Sequence, residues 1–325
     1  MYFPVSGVDV FLLIPPLVAF VVSSVTTTAG VSGAFLLLPF QVSVLGFVSP
    51  AVSPTNLVYN IVAIPGGLAR FIREGRMAWP LTGVIILGTL PGVFGGAWVR
   101  IFYLPEPRSF KFFVGLVLLF LGLRLLYEIT GRNQKNAKNF NQGQALEDKI
   151  KERVQQLKIN ENLVFAAGLP KEAVVKTRRV SLFKIEYEFW GEAFSFSTLT
   201  VFIFALAVGL IGGIYGIGGG AIIAPLCVSV FGLPVYTVAG AALAGNFLTS
   251  IGGVAFYTVF AYTLQGAQSA VLPDYALGAL FGIGGFFGTY CGAYFQKYLS
   301  ERLIKGILGI IVTGLALSYV LQYFL

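Results

Sequence analysis

Six apolar stretches, at residues 10–28, 78–99, 110–127, 197–214, 275–295 and 303–324, dominate this 325-residue chain. Each comes close to the ~20 residues a helix needs to cross the hydrocarbon layer of a bilayer. Soluble domains carry about 25% charged residues, whereas this chain is 11% charged and 56% hydrophobic. It has too little polar surface to face water, so the lipid bilayer is its solvent. The first stretch lacks a basic start and a small-residue cleavage site, and therefore reads as a span rather than a removable leader.

In lipid every backbone amide must find its partner within the protein. That requirement predicts an all-α, polytopic membrane protein and gives the 40 glycines two uses, close helix crossing and deliberate helix breaks. The chain has no histidine, which excludes a His-ligated metal and a Ser–His triad; no metal, cofactor or catalytic residue is expected. Cys227 and Cys291 both fall in apolar segments and read as packing residues. The net charge of +8 is assigned to basic cytoplasmic loops, not to nucleic acid.

The sequence is duplicated. Sliding it by 186 residues aligns residues 30–71 with 216–257 without a gap, and 13 of the 42 positions are identical. They include Gly30, Gly33, Pro39, Gly46, Asn60, Gly66 and Gly67, with their mates Gly216, Gly219, Pro225, Gly232, Asn246, Gly252 and Gly253. Past a seven-residue insertion, Pro80, Gly92 and Gly95 meet Pro273, Gly285 and Gly288. Each half reads as about five apolar segments, near 10–28, 32–47, 51–69, 78–102 and 110–129, and near 196–214, 218–233, 237–261, 275–296 and 303–324. The second segment of each half is short and carries a central proline. It either spans thinly or dips in and returns with the first, and both choices leave an odd number of crossings per half.

An odd number makes the two repeats inverted in topology. Charge placement agrees: the loop 70–76 holds Arg70, Arg73 and Arg76, whereas its mate 257–274 has no basic residue. Arg100, Arg108 and Lys111 run against this assignment, since they would lie outside. The organisation expected is a first membrane repeat at 1–130, a cytoplasmic linker insert at 131–195 and a second membrane repeat at 196–325. The insert is the polar part of the chain. Residues 145–157 show helical charge pairing, and residues 181–197 partly alternate like a strand hairpin.

Outside the insert the charges cluster at segment ends, and none stands out at the midplane, the usual mark of an ion pathway. The uncharged alternative is a broken helix, whose free N–H groups and positive dipole end bind anions. The candidates are Thr28, Gly30, Ser32 and Gly33 in the first half, and Gly216, Gly218, Gly219 and Gly220 in the second, at matching positions between the first and second segments. Glycine permits the reversal and close approach of a ligand, and Thr28 and Ser32 add hydroxyls. Thr55, Asn56 and Asn60 on the third segment, with Asn246 at the place of Asn60, complete the candidate set. An amide in lipid costs free energy unless paired; these asparagines could donate to an anion, coordinate a cation through their carbonyls, or hydrogen-bond between helices.

The strings GVSGAFLLLP near 30, TNLVYNIVAIPGG near 55, GIYGIGGGAIIAP near 213 and ALAGNFLTSIGG near 242 resemble the TauE/SafE family of membrane proteins, also called sulfite exporters. The resemblance covers both membrane halves, and the insert with FWGEAFSFS looks like the long-loop branch. It implies export of small sulfur oxyanions, sulfite or organosulfonates such as sulfoacetate, across a bacterial or archaeal plasma membrane. The expectation is an alternating-access transporter of a small anion. A passive channel for anions or neutral solutes, a sulfur-handling enzyme acting through Cys227, and a scaffold that binds a partner through the insert are the other readings.

Overall fold

The computed structural model describes residues 1–28, 32–129, 174–263, 268–295 and 301–324. A short hairpin, β1 (Tyr2–Phe3) with β2 (Val8–Asp9), opens the chain. The first half continues with α1 (Ile14–Thr28), α2 (Ala34–Ser43), α3 (Val52–Ala63), α4 (Pro65–Arg73), α5 (Trp79–Phe102) and α6 (Pro107–Ile129). A three-stranded antiparallel sheet follows, in the order β3 (Val175–Val180), β4 (Lys184–Phe189), β5 (Glu192–Ser197). The second half holds α7 (Thr198–Tyr215), α8 (Gly220–Phe231), α9 (Val235–Thr263), the single turn α10 (Gln268–Val271), α11 (Tyr275–Phe295) and α12 (Glu301–Phe324).

The expected strand hairpin in the insert is present as β4 and β5. Ile185, Tyr187 and Phe189 alternate inward on β4, and the two-residue turn at Trp190 and Gly191 has φ of 51° and 79°. Left-handed residues at both turn positions match the twist of an antiparallel hairpin. Among the described residues these sheets are additions to an otherwise helical fold. The helix expected at 145–157 lies outside the described residues.

Glycine decides which helices touch. Gly88, Gly92 and Gly96 of α5 meet α7 at Ala205, Leu206 and Leu210 in ascending order, so the two run parallel. Gly284, Gly288 and Gly292 of α11 meet α1 at Pro16, Phe20 and Ser24, again parallel. Gly115 and Gly122 of α6 meet Tyr319 and Thr313 of α12, an antiparallel pair. A residue with a Cβ at the fourth-residue glycines of α5 and α11 would strike the partner's backbone, the small-residue logic of helix crossings in lipid.

The molecule has two ends. At the sheet end, Val175 donates to the Gly75 carbonyl (3.0 Å) and Tyr187 bonds Thr237 (2.9 Å), which fixes the sheet beside the starts of α5 and α9. At 24 residues and ~1.5 Å per residue, α5 reaches the far end of the molecule. That far end gathers the β1–β2 hairpin, whose Ser6 donates from N–H and Oγ to Asp274 (3.2 and 2.8 Å), and the start of α3, where Ala51 donates to Ala270 (2.9 Å).

α1 starts from this far end and α2 returns toward it, where Ser43 bonds Tyr319. α7 starts from the sheet end, and α8 leads back through Gly232–Pro234 to the start of α9 there. The α7–α8 pair is therefore a hairpin that turns inside the molecule, and α1 and α2 likewise run in opposite directions. The third segments differ: in the first half the helix stops at Ala63 and restarts at Pro65, whereas α9 runs 29 residues unbroken past Gly252 and Gly253.

Candidate functional site

The first break, between α1 and α2, includes Gly30, which lies outside the described residues; Thr28 ends α1. The Ser32 hydroxyl accepts from the N–H of Ala34 (3.3 Å). Gly33 caps α2, and a Cβ there would stand 2.7 Å from both Ser23 Oγ and the Tyr59 hydroxyl, which bond one another at 2.8 Å.

The second break follows Tyr215. Gly216 (φ 83°) and Gly218 (φ 70°) occupy left-handed backbone that an L side chain resists. Gly219 caps α8 and donates its N–H to Thr249 Oγ1 (3.4 Å). The end of a helix leaves carbonyls without partners, and here one face of α3 supplies the donors. Ser53 Oγ bonds the Ile214 carbonyl (2.8 Å), Asn56 Nδ2 the Gly216 carbonyl (3.1 Å), and Asn60 Nδ2 the Ile217 carbonyl (3.1 Å). Positions 53, 56 and 60 are spaced i, i+3, i+7, which is one helical stripe.

The two breaks meet. Asn56 Nδ2 also donates to the Ala34 carbonyl at the start of α2 (2.9 Å), while its Oδ1 accepts from Gln41 (3.2 Å). Tyr215 donates from the end of α7 to the Phe35 carbonyl (2.7 Å). Asn56 is thereby fully bonded and acts as a clamp between halves.

Asn246 occupies the other side of the second break. The space a side chain at Gly218 would need is filled by Asn246 Oδ1, with Ser250 Oγ 3.1 Å from the same point. Asn60 Oδ1, Asn246 Oδ1, Ser250 Oγ and Gln41 Oε1 are all buried without a hydrogen-bond partner. No acceptor among the described residues meets the N–H groups of Gly220 or Ile222 in the first turn of α8. An unpaired buried polar group costs about 1–3 kcal/mol, so this cluster around Ile217–Gly220 is held at a cost. Thr55 does not join it. Its hydroxyl donates to Ala51 (2.7 Å) and accepts from the N–H of Asp274 (2.8 Å) at the far end.

The residues not selected from sequence are Ser53, Gln41, Tyr59, Tyr215, Thr249 and Ser250. Ser53 was legible as the next member of the Asn56–Asn60 stripe, and Thr249 and Ser250 as residues three and four beyond Asn246. The tyrosines gave no signal, because their partners, the Ser23 hydroxyl for Tyr59 and the Phe35 carbonyl for Tyr215, lie far away in the chain.

Five helices among the described residues are long and apolar enough to cross a membrane: Trp79–Phe102, Pro107–Tyr127, Thr198–Tyr215, Thr237–Thr263 and Lys305–Phe324. With a polar cluster enclosed at two helix breaks, they define a multi-pass membrane protein. A family model described as sulfite exporter TauE/SafE matches residues 16–319, and the chain belongs to that family of membrane transporters. No curated protein and no solved structure matches it.

Proposed function

We propose that this protein exports small sulfur-containing anions, sulfite or organosulfonates such as sulfoacetate, by alternating access around the two helix breaks. The observation that carries this reading is the enclosed cluster at Ile217–Gly220. Helix-start N–H groups and the Ser250 hydroxyl converge there with no charged residue beside them among the described residues, a setting in which an anion is stabilised by dipoles. Thr28, Gly30, Ser32 and Gly33 would form the matching half of the site.

Inverted repeats are the natural frame for such a mechanism. The fifth segments, α6 and α12, pack antiparallel, as expected for equivalent helices related by a two-fold axis lying in the membrane plane. The reciprocal pairs α1 with α11 and α7 with α5, each a first segment against the other half's fourth, support the same relation. Rocking one half against the other would open the breaks to each face in turn. Arg73, Arg76 and the described part of the insert, residues 174–195, share the sheet end, which favours a cytoplasmic sheet in a plasma membrane. Arg108, which ran against this, spends its guanidinium on the Tyr323 carbonyl at the end of α12 (3.1 and 2.6 Å).

The test is flux in proteoliposomes loaded with labelled sulfite or sulfoacetate, with and without imposed potential and pH gradients. Saturable flux that responds to a gradient is the expected result. Flux that never saturates and never runs uphill would replace the transporter with a passive channel.

A further inference from the structure

Arg100 is among the largest side chains buried completely, at 0% exposure in the last turn of α5. One guanidinium nitrogen, Nη1, donates to the Leu104 carbonyl, and the Phe110 ring covers the group at 3.7 Å. The other edge, Nε and Nη2, meets no acceptor. The contrast with the sheet end is direct: there the buried Arg76 is paired with Glu74. No carboxylate among the described residues pairs with Arg100. Asp274, the other buried acid among them, spends its oxygens on Ser6 and Leu277.

A buried cation whose Nε and Nη2 are left unpaired is held at a cost, which an acceptor at that edge would relieve. The duplication sharpens this. Carrying the alignment of Gly92 and Gly95 forward places Ala293 at the position of Arg100, so the charge belongs to one half only and marks the far end. It also stands close to the site. Gly96, one turn earlier, packs on Gly213 and Ile214 at the end of α7. Tyr257 of α9 donates to the Gly213 carbonyl at the same place (2.9 Å).

We propose that Arg100 forms an outer anion subsite, on the path from the glycine break to the far end of the molecule. The inference rests on the anion-export reading for its direction, though not for its chemistry. The Nε–Nη2 edge is the planar fork that binds two oxygens of one oxyanion side by side. Phe110 and the Leu104 carbonyl hold the fork in orientation and close it in the conformation described here. A small sulfur oxyanion leaving the break is received by this edge before release, and the charge raises the local anion concentration there.

Equilibrium binding of radiolabelled sulfite to the full-length protein in detergent tests the subsite, with thermal melting reporting folding. Arg100→Gln is expected to weaken sulfite binding about tenfold or more while the protein stays folded. Arg100→Lys keeps the charge and loses the fork, so it is expected to retain binding but lose selectivity for sulfite over chloride. Unchanged sulfite affinity in folded Arg100→Gln would overturn the subsite. If Arg100→Gln does not fold, Arg100→Lys decides, and unchanged affinity and selectivity overturn it. Absence of sulfite, sulfoacetate and sulfate binding to the unaltered protein overturns it as well. Arg100-dependent binding in a protein that carries no sulfite flux would sink the export reading and keep the subsite; flux with Arg100-independent binding would do the reverse.

Discussion

The side-chain amide of Asn60 donates to the carbonyl of Ile217 at 3.1 Å, so a helix of the first half holds the broken helix of the second at its break. Its repeat mate Asn246 approaches the same break from the other side, against Gly218. Two residues that occupy one position in the duplicated sequence thus share one loop, and each leaves its Oδ1 unpaired.

The neighbours Asn56 and Asn60 should respond differently to leucine. Asn56 bonds the carbonyls of Ala34 and Gly216 and accepts from Gln41, so Asn56→Leu strands two buried carbonyls and one amide. A loss of about 2–5 kcal/mol and a clear fall in melting temperature are expected. Asn60→Leu strands one carbonyl and should cost about 1–3 kcal/mol, leaving folded protein whose flux is reduced. Equal melting temperatures in the two variants would show that Asn56 is not a clamp.

Gly218 and Gly46 form a matched test of the site. Both are left-handed, at φ 70° and 69°, but a Cβ at Gly46 meets nothing within 4 Å, whereas one at Gly218 collides with Asn246 Oδ1. Alanine at Gly46 carries backbone strain alone, about 1–2 kcal/mol, and should leave flux intact. Alanine at Gly218 carries the same strain and displaces Asn246, and flux should be lost. Transport by Gly218→Ala at the rate of Gly46→Ala would remove Asn246 from the mechanism.

Cys227 is fully buried at the position matching Gln41. Truncation to alanine removes one buried atom and is expected to lower stability by about 1 kcal/mol with flux unchanged. Loss of flux in folded Cys227→Ala would revive sulfur chemistry at that thiol.

Asp274 accepts from Ser6 N–H, Ser6 Oγ and the N–H of Leu277 in the first turn of α11. Asp274→Ala removes a helix cap and unties the β1–β2 hairpin from the far end. A stability loss of about 1–2 kcal/mol is expected, together with faster proteolysis within residues 1–10. Unchanged proteolysis would mean the hairpin is held by Phe3 and Val8 packing alone.

The helical bundle was legible because hydrophobicity in lipid is a local property: a run such as 78–102 becomes α5 whatever surrounds it. The duplication also located both breaks, since glycine clusters at matching positions need no tertiary knowledge. The strand hairpin within 181–197 was visible from partial alternation, while its Trp190–Gly191 turn came only from the structure. The third segments part at one local difference: Pro65, which lacks an N–H to continue a helix, stands where the unbroken α9 has Ile251.

Pairing of polar groups was not legible to the same degree, because each bond joins residues far apart in the chain. Thr55 looked equal to Asn56 from sequence, yet one helical position turns it toward Asp274 and away from the cluster. Arg100 looked like one more interfacial charge at a segment end, and only the packing of α5 on Phe110 encloses it. The amino-acid order by itself determined the solvent, the segments, the duplication and the places where helices break, all of which follow from composition and periodicity along the chain. The tertiary structure alone decided which carbonyls receive Ser53, Asn56 and Asn60, which oxygens stay unpaired, and which cation lacks an acid. Those outcomes depend on distances between helices, and a hydrogen bond is made or lost over less than the width of one side chain.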